Sequence, residues 1–176
     1  MMENMPHLRK RHFEPVLKRL MSMSPLVGIL GHRQVGKTTL LESLAADYYT
    51  LDDSTELLSA RKNAKKFLHE RAGEKVGIDE CQLAPELFPA LKEWVRQHKR
   101  PNQFLLTGSV RFTSRKAIQE SLTGRIISME LLPLLLSELS SSQLPDFWSR
   151  NVSLDAFAFS SPTTVKPGNK VTAMLR

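Results

Sequence analysis

The octet Gly31-His32-Arg33-Gln34-Val35-Gly36-Lys37-Thr38 fits the spacing G-x-x-x-x-G-K-[ST], a pattern that few backbones can satisfy. Its two glycines let the chain wrap so tightly that successive N–H groups point into one hollow, a concavity suited to an anion. A helix opening near Gly36 adds the positive end of its dipole to the same place. Lys37 supplies a mobile point charge for phosphate oxygens, and the Thr38 hydroxyl is a hard oxygen ligand of the kind Mg²⁺ takes. The octet therefore demands a strand before it and a helix after it, and both patterns are present. Leu26-Val27-Gly28-Ile29-Leu30 is the continuous apolar run of a strand buried on two faces. Leu40, Leu41 and Leu44 fall on one face of a helix over residues 38–46. His32 and Arg33 occupy variable positions and read as solvent-facing. They are nonetheless counted, with Gln34, Val35 and Thr39, among the phosphate-contacting residues alongside Gly31, Gly36, Lys37 and Thr38.

The strand–helix alternation continues along the chain. Phe13, Val16, Leu17 and Leu20 predict an amphipathic helix over residues 13–22 that leads into Pro25. Tyr48-Tyr49-Thr50-Leu51 reads as a second strand ending at Asp52-Asp53, with Ser54 as the N-cap of a helix running to about His69. A third strand, residues 75–78, ends in Asp79-Glu80. Leu87, Leu91, Trp94 and Val95 mark a helix that stops near Arg100-Pro101. A fourth strand over 104–107 precedes Gly108-Ser109. A helical stretch over 114–122 and a fifth strand over 126–129 follow, and residues 134–139 suit a turn or two of helix. Elements of these lengths in this order predict an α/β fold, a parallel sheet covered on both faces. After Pro133 the character changes. Ser140-Ser141-Ser142, Pro145, Pro162 and Pro167-Gly168 punctuate an irregular tail over 140–176.

The second chemical element is the acid at the end of the third strand, Val76-Gly77-Ile78-Asp79-Glu80. Asp79 suits Mg²⁺, held through a bound water because that ion gives up its hydration reluctantly. Glu80, one residue on, is where a carboxylate can orient or deprotonate an attacking water. An adjacent acid of this kind points to hydrolysis rather than transfer to another molecule. Cys81 reads as a small buried filler, and Gln82 as either a relay beside the acids or a plain helix start. At the end of the fourth strand Thr107 and Ser109 are both placed to meet a terminal phosphate, Thr107 being preferred. Positive charge for the developing phosphate oxygens is expected from an arginine of this chain or a neighbouring one. Arg111, Arg115 and Arg125 are the candidates, with Arg125, after Thr123-Gly124, chosen.

Composition constrains the remainder. One cysteine excludes an internal disulfide framework. No apolar run approaches the roughly 18 residues of a membrane span, and the N-terminus lacks a secretory h-region, so a cytoplasmic protein with no membrane partner is expected. The formal charge of +7 suits a polyanion but supports a nucleic-acid partner only weakly. Arg9-Lys10-Arg11 and His98-Lys99-Arg100 read as solvated helix faces and turns.

Taken in order, the octet with Thr39-Leu40, Ile78-Asp79-Glu80-Cys81-Gln82, Phe104-Leu105-Leu106-Thr107-Gly108-Ser109, Ser121-Leu122-Thr123-Gly124-Arg125 and Leu131-Leu132-Pro133-Leu134-Leu135-Leu136-Ser137-Glu138-Leu139 resemble the prokaryotic AAA-like P-loop ATPases that carry a C-terminal domain of unknown function. The similarity spans about residues 8–150. It implies a three-layer P-loop NTPase fold with five parallel strands ordered 5-1-4-3-2, with ATP and Mg²⁺ as ligands. It carries Gly31, Gly36, Lys37, Thr38, Asp79, Glu80 and Arg125 over as site residues, with the Walker A and Walker B roles. Members of that family continue into a second domain. The expectation here is an ATPase domain with an N-terminal helix over 1–139, and over 140–176 the truncated start of a missing C-terminal region. Mg²⁺-dependent ATP hydrolysis is the leading reading. A nucleotide-binding interaction module with little turnover, for want of the second domain, is the alternative. The absence of an Asn-Lys-x-Asp run argues against a GTPase, and Glu80 against a small-molecule kinase. Self-association enters through the neighbouring-chain arginine.

Overall fold

The computed structural model describes residues 9–109 and 124–139, all within the unit Met1–Ser142. Helix α1 (Glu14–Met23) buries Leu17, Leu20 and Met21 and ends before Pro25. Strand β1 (Leu26–Leu30) is buried at every position and opens into helix α2 (Lys37–Leu44). Strand β2 (Asp47–Thr50), helices α3 (Ser54–Lys62) and α4 (Ala64–Glu70), strand β3 (Val76–Asp79), helix α5 (Leu87–Gln97), strand β4 (Phe104–Gly108) and strand β5 (Ile127–Glu130) follow. A single helical turn, Leu136–Leu139, closes the described residues.

The five strands form one sheet in the order β2-β3-β4-β1-β5, with every pairing parallel. Read from the other edge, this is the expected 5-1-4-3-2. Strand β1 sits between β4 and β5, which is why its sequence is apolar throughout. Edge strand β5 is half-exposed instead, its side chains alternating between partly covered and open. The period-2 pleat divides the core in two. Leu26 and Leu30 of β1 join Leu106, Phe67, Phe88 and Leu91 on one face of the sheet. Val27 and Ile29 join Leu105, Leu17, Leu40 and Leu41 on the other. The result is a three-layer P-loop NTPase-like arrangement. Its strands all run toward one end, where the β1–α2 loop and the ends of β3 and β4 gather. Helix α2 lies very close to β3: a methyl added at Gly77 would meet the Ala45 side chain at 2.8 Å and Leu41 at 3.0 Å.

Two sequence readings are corrected. The helix expected to run unbroken from Ser54 to His69 is two helices divided at Asn63. Its N-cap is Asp53, whose side chain accepts from the N–H of Thr55 at 2.8 Å and of Glu56 at 3.0 Å. Asn63 ends α3 and then caps α4 by accepting from the Lys66 N–H at 3.0 Å. Asp and Asn cap as serine does, by offering a side-chain oxygen to the free backbone N–H groups of the first turn. The second correction concerns Arg11, read with Arg9 and Lys10 as a solvated cluster. Arg9 and Lys10 are exposed, whereas Arg11 is 9% exposed and fully engaged in hydrogen bonds. The other basic cluster, His98-Lys99-Arg100, is exposed as expected. The stretch 114–122 and the tail 140–176 lie outside the described residues.

Candidate functional site

The loop between β1 and α2 is shaped by backbone constraints before any side chain enters. A Cβ on Gly31 would stand 2.6 Å from the Leu131 carbonyl oxygen and 3.0 Å from the Val35 side chain, so only glycine fits where the loop passes the end of β5. That passage is fixed by the Leu131 N–H, which donates to the Leu30 carbonyl at 2.7 Å. Gln34 (φ 64°) and Gly36 (φ 93°) both take left-handed conformations, and such reversals turn successive N–H groups to one side. Val35 between them is buried and anchors the loop in the core below. His32, Arg33 and Gln34 face outward, as do Thr38 and Thr39. Lys37, 5% exposed, is the first residue of α2, and its Nζ donates to the His32 carbonyl at 2.8 Å, spanning the loop mouth.

Asp79, at the end of β3, is 2% exposed and is met by four donors. Thr38 Oγ1 donates to its Oδ2 at 2.6 Å, and the Tyr48 hydroxyl donates to the same oxygen at 3.1 Å. The Thr107 hydroxyl donates to Oδ1, which also accepts from the Glu80 N–H at 3.0 Å. Thr107 is itself 1% exposed and accepts from the Glu80 N–H at 3.1 Å. Its only proton is thus directed to Asp79 and not into the open cleft. Glu80 sits in the left-handed region (φ 55°), half-buried, and receives a hydrogen bond from the Gln82 amide on its Oε2. Cys81 is buried and donates to the Ile78 carbonyl at 3.2 Å. Burial and the nearby Asp79 charge push its thiol well above the usual range, which fits a filler.

Loop and Glu80 share one cleft of about 650 Å³, lined by Arg33, Gln34, Gly36, Lys37, Thr38, Thr39 and Glu80, with the buried Asp79 directly behind Thr38. A second cavity of about 380 Å³ adjoins it, sharing Gln34, Gly36 and Thr39 and walled on its far side by Arg9, Lys10, Pro133 and Leu134. Thr38, Lys37, Asp79, Glu80 and Thr107 are therefore brought together, and Ser109 follows just beyond Thr107. Arg125 is not brought to them. Ile127 pairs with Val27, four residues before Gly31, which is about 13 Å of strand. Arg125 lies further still toward the opposite end of the sheet. Arg111 and Arg115 lie outside the described residues.

Sequence reasoning missed Tyr48. Burial, then the charge of Asp79, raises its hydroxyl to about 12, so it remains a neutral donor. The only signal was its place in β2, beside Gly77 of β3, where no side chain blocks its path to Asp79. Arg11 was the other omission, since nothing in its sequence neighbourhood announces a partner more than a hundred residues away.

Among the described residues no helix is long and apolar enough to cross a membrane. The AAA domain family matches this chain over residues 23–140, which bears out the resemblance carried by the ordered motifs. Two uncharacterized proteins, of Mycobacterium bovis and Mycobacterium tuberculosis, are each 31% identical over 145 residues, 81% of this chain and 33% of theirs. The chain thus spans about a third of the length of these relatives. A solved structure of a Walker-type ATPase of Pyrococcus abyssi aligns with 80% of this chain and 61% of its own at 17% identity, with a TM-score of 0.48.

Proposed function

The chain belongs to the AAA domain family, and from that premise we propose that residues 1–139 bind ATP with Mg²⁺ and hydrolyse it to ADP and phosphate. The observation that carries the reading is the convergence of Lys37, Thr38 and Glu80 on one cleft at the N-terminus of α2, with the buried Asp79 hydrogen-bonded to Thr38 behind it. Inward N–H groups and the Lys37 ammonium suit the β- and γ-phosphates. The adjoining 380 Å³ cavity suits the nucleoside.

Thr38 and Asp79 fit Mg²⁺ as a hard-oxygen pair, a hydroxyl 2.6 Å from a buried carboxylate. One or two protein oxygens completed by phosphates and water is the ordinary protein share for that ion. When bound, it would neutralise charge on the phosphate oxygens. Four donors hold the Asp79 carboxylate in place, and Thr107 acts through Asp79 and the Glu80 N–H as a positioning residue. Glu80 is the proposed general base. With Oε2 engaged by Gln82, Oε1 accepts a proton from the water that forms the new P–O bond as the bond from the γ-phosphorus to the bridging oxygen breaks. Arg125 remains the proposed arginine for the γ-phosphate. From its own end of the sheet it can serve only the cleft of a neighbouring chain, which makes turnover depend on self-association.

Equilibrium binding of a fluorescent ATP analogue and phosphate release test the proposal. Lys37→Ala should weaken binding at least about a hundredfold, while Glu80→Gln should bind normally and lose at least about a hundredfold in turnover. Undiminished binding by Lys37→Ala would overturn the site assignment. Binding without phosphate release in the parent chain would leave a nucleotide-binding module.

A further inference from the structure

Beside the phosphate loop, in the wall of the 380 Å³ cavity, the Arg11 guanidinium joins the loop to the segment that leaves β5. Nη1 donates to the Val35 carbonyl at 2.7 Å, Nη2 to the Leu132 carbonyl at 2.6 Å, and Nε to Glu138 Oε1 at 3.2 Å. Glu138, 4% exposed, also accepts from the His12 N–H at 2.7 Å and the Leu135 N–H at 2.9 Å. Burial alone would raise its carboxyl, but these N–H groups and the guanidinium outweigh burial and hold it below the usual glutamate range. The charge pair is therefore built into the fold and not laid on its surface.

The contact to Val35 has a consequence for the loop. In a trans peptide the C=O of one residue and the N–H of the next point in opposite directions, and no peptide among the described residues is cis. Drawing the Val35 carbonyl backward onto Arg11 turns the Gly36 N–H forward, toward the hollow where an anion would sit. Only a planar fork with several fixed donors can hold three acceptors at these angles together. Gly36 has no side chain to interfere, and a Cβ there would lie 3.3 Å from Arg11 Nη1.

We propose that Arg11 is a positioning residue that aims the Gly36 amide of the phosphate loop and ties that aim to the segment over 132–138 leaving β5. Anything that displaces this segment loosens the loop, and a ligand that fixes the loop steadies the segment by the same factor. The effect on nucleotide affinity rests on the function proposed above; the mechanical tie does not.

The test compares Glu138→Gln and Arg11→Lys with the parent chain by amide hydrogen exchange without nucleotide, then by ATP binding. Both variants should speed exchange of the Leu40 amide, which donates to the Gly36 carbonyl, together with residues 132–138 by about fivefold or more, while α5 exchanges as in the parent. General destabilisation would speed α5 as well. Arg11→Lys should weaken ATP binding about tenfold, because lysine keeps the charge but lacks the fork. If Glu138→Gln loosens only residues 132–138, or if α5 loosens equally in both variants, the tie does not exist. If the parent binds no ATP, the nucleotide reading fails, while the exchange pattern still decides the role of Arg11.

Discussion

The two walls of the cleft are built on different plans. At the acid wall, side chains from α2, β2 and β4 converge on Asp79, so that Thr38, Tyr48 and Thr107 each contribute one hydroxyl. Removing any one leaves the carboxylate with its other donors. At the loop wall the shape comes from backbone conformation at Gln34 and Gly36, from the steric vacancy at Gly31 and from one guanidinium behind it. Nothing there is duplicated. The acid wall should therefore yield gradually to substitution and the loop wall abruptly.

The strongest way to break this contrast is Gly31→Ala. A methyl 2.6 Å from the Leu131 carbonyl must push the loop or β5 aside, and a loss of about 3 kcal/mol in chemical denaturation is expected. A loss below 1 kcal/mol, with ATP binding intact, would show that the loop is as forgiving as the acid wall. Next in size is Thr107→Val, which keeps the buried shape but removes one donor from Asp79. The same measurement should show about 2 kcal/mol, and a larger loss than for Gly31→Ala would invert the comparison. Smallest is Tyr48→Phe, at about 1 kcal/mol for one part-buried hydrogen bond of 3.1 Å.

The Tyr48 hydroxyl also carries a pH signature. Its folded-state pKa is raised to about 12 from the ordinary 10.0. The neutral form is favoured on folding, so its contribution is complete below pH 10 and fades as pH rises from there toward 12. An alkaline titration followed by phenolate absorbance should show a late-ionising tyrosine that Tyr48→Phe removes.

Much of the acid wall and all of the loop's identity were legible in the chain. Phosphate binding needs glycine, lysine and threonine at fixed spacing, and an acid at a strand end stands out against the apolar residues before it. The inner strands β1, β3 and β4 were visible because a strand covered on both faces requires a continuous apolar run, and the edge strands β2 and β5 because short strand-like runs stood between helical patterns. What stayed hidden depends on topology. Tyr48 reaches Asp79 only because β2 pairs with β3 and not with β1. Arg11 finds Glu138 only because the exit from β5 returns beside the N-terminal segment, and in sequence it is one more basic residue between Lys10 and His12. The break at Asn63 was missed for a local reason, since a capping side chain outcompeted a helical pattern that ran through it. Arg125 was chosen for its glycine neighbour, and the register of β5 against β1 puts it at the wrong end for its own chain's cleft.

The absent side chain at Gly77 works as a spacer gauge for the whole machine. Because Ala45 and Leu41 rest directly on that bare stretch of β3, helix α2 bottoms out against the sheet. The depth of that seat sets how far Thr38 stands from Asp79. The spacing of that hydroxyl and carboxylate is thus cut by a residue of the sheet that carries no side chain. A shim one methyl thick, placed well below the cleft, would throw the Thr38 hydroxyl and the Asp79 carboxylate out of gauge without altering either of them.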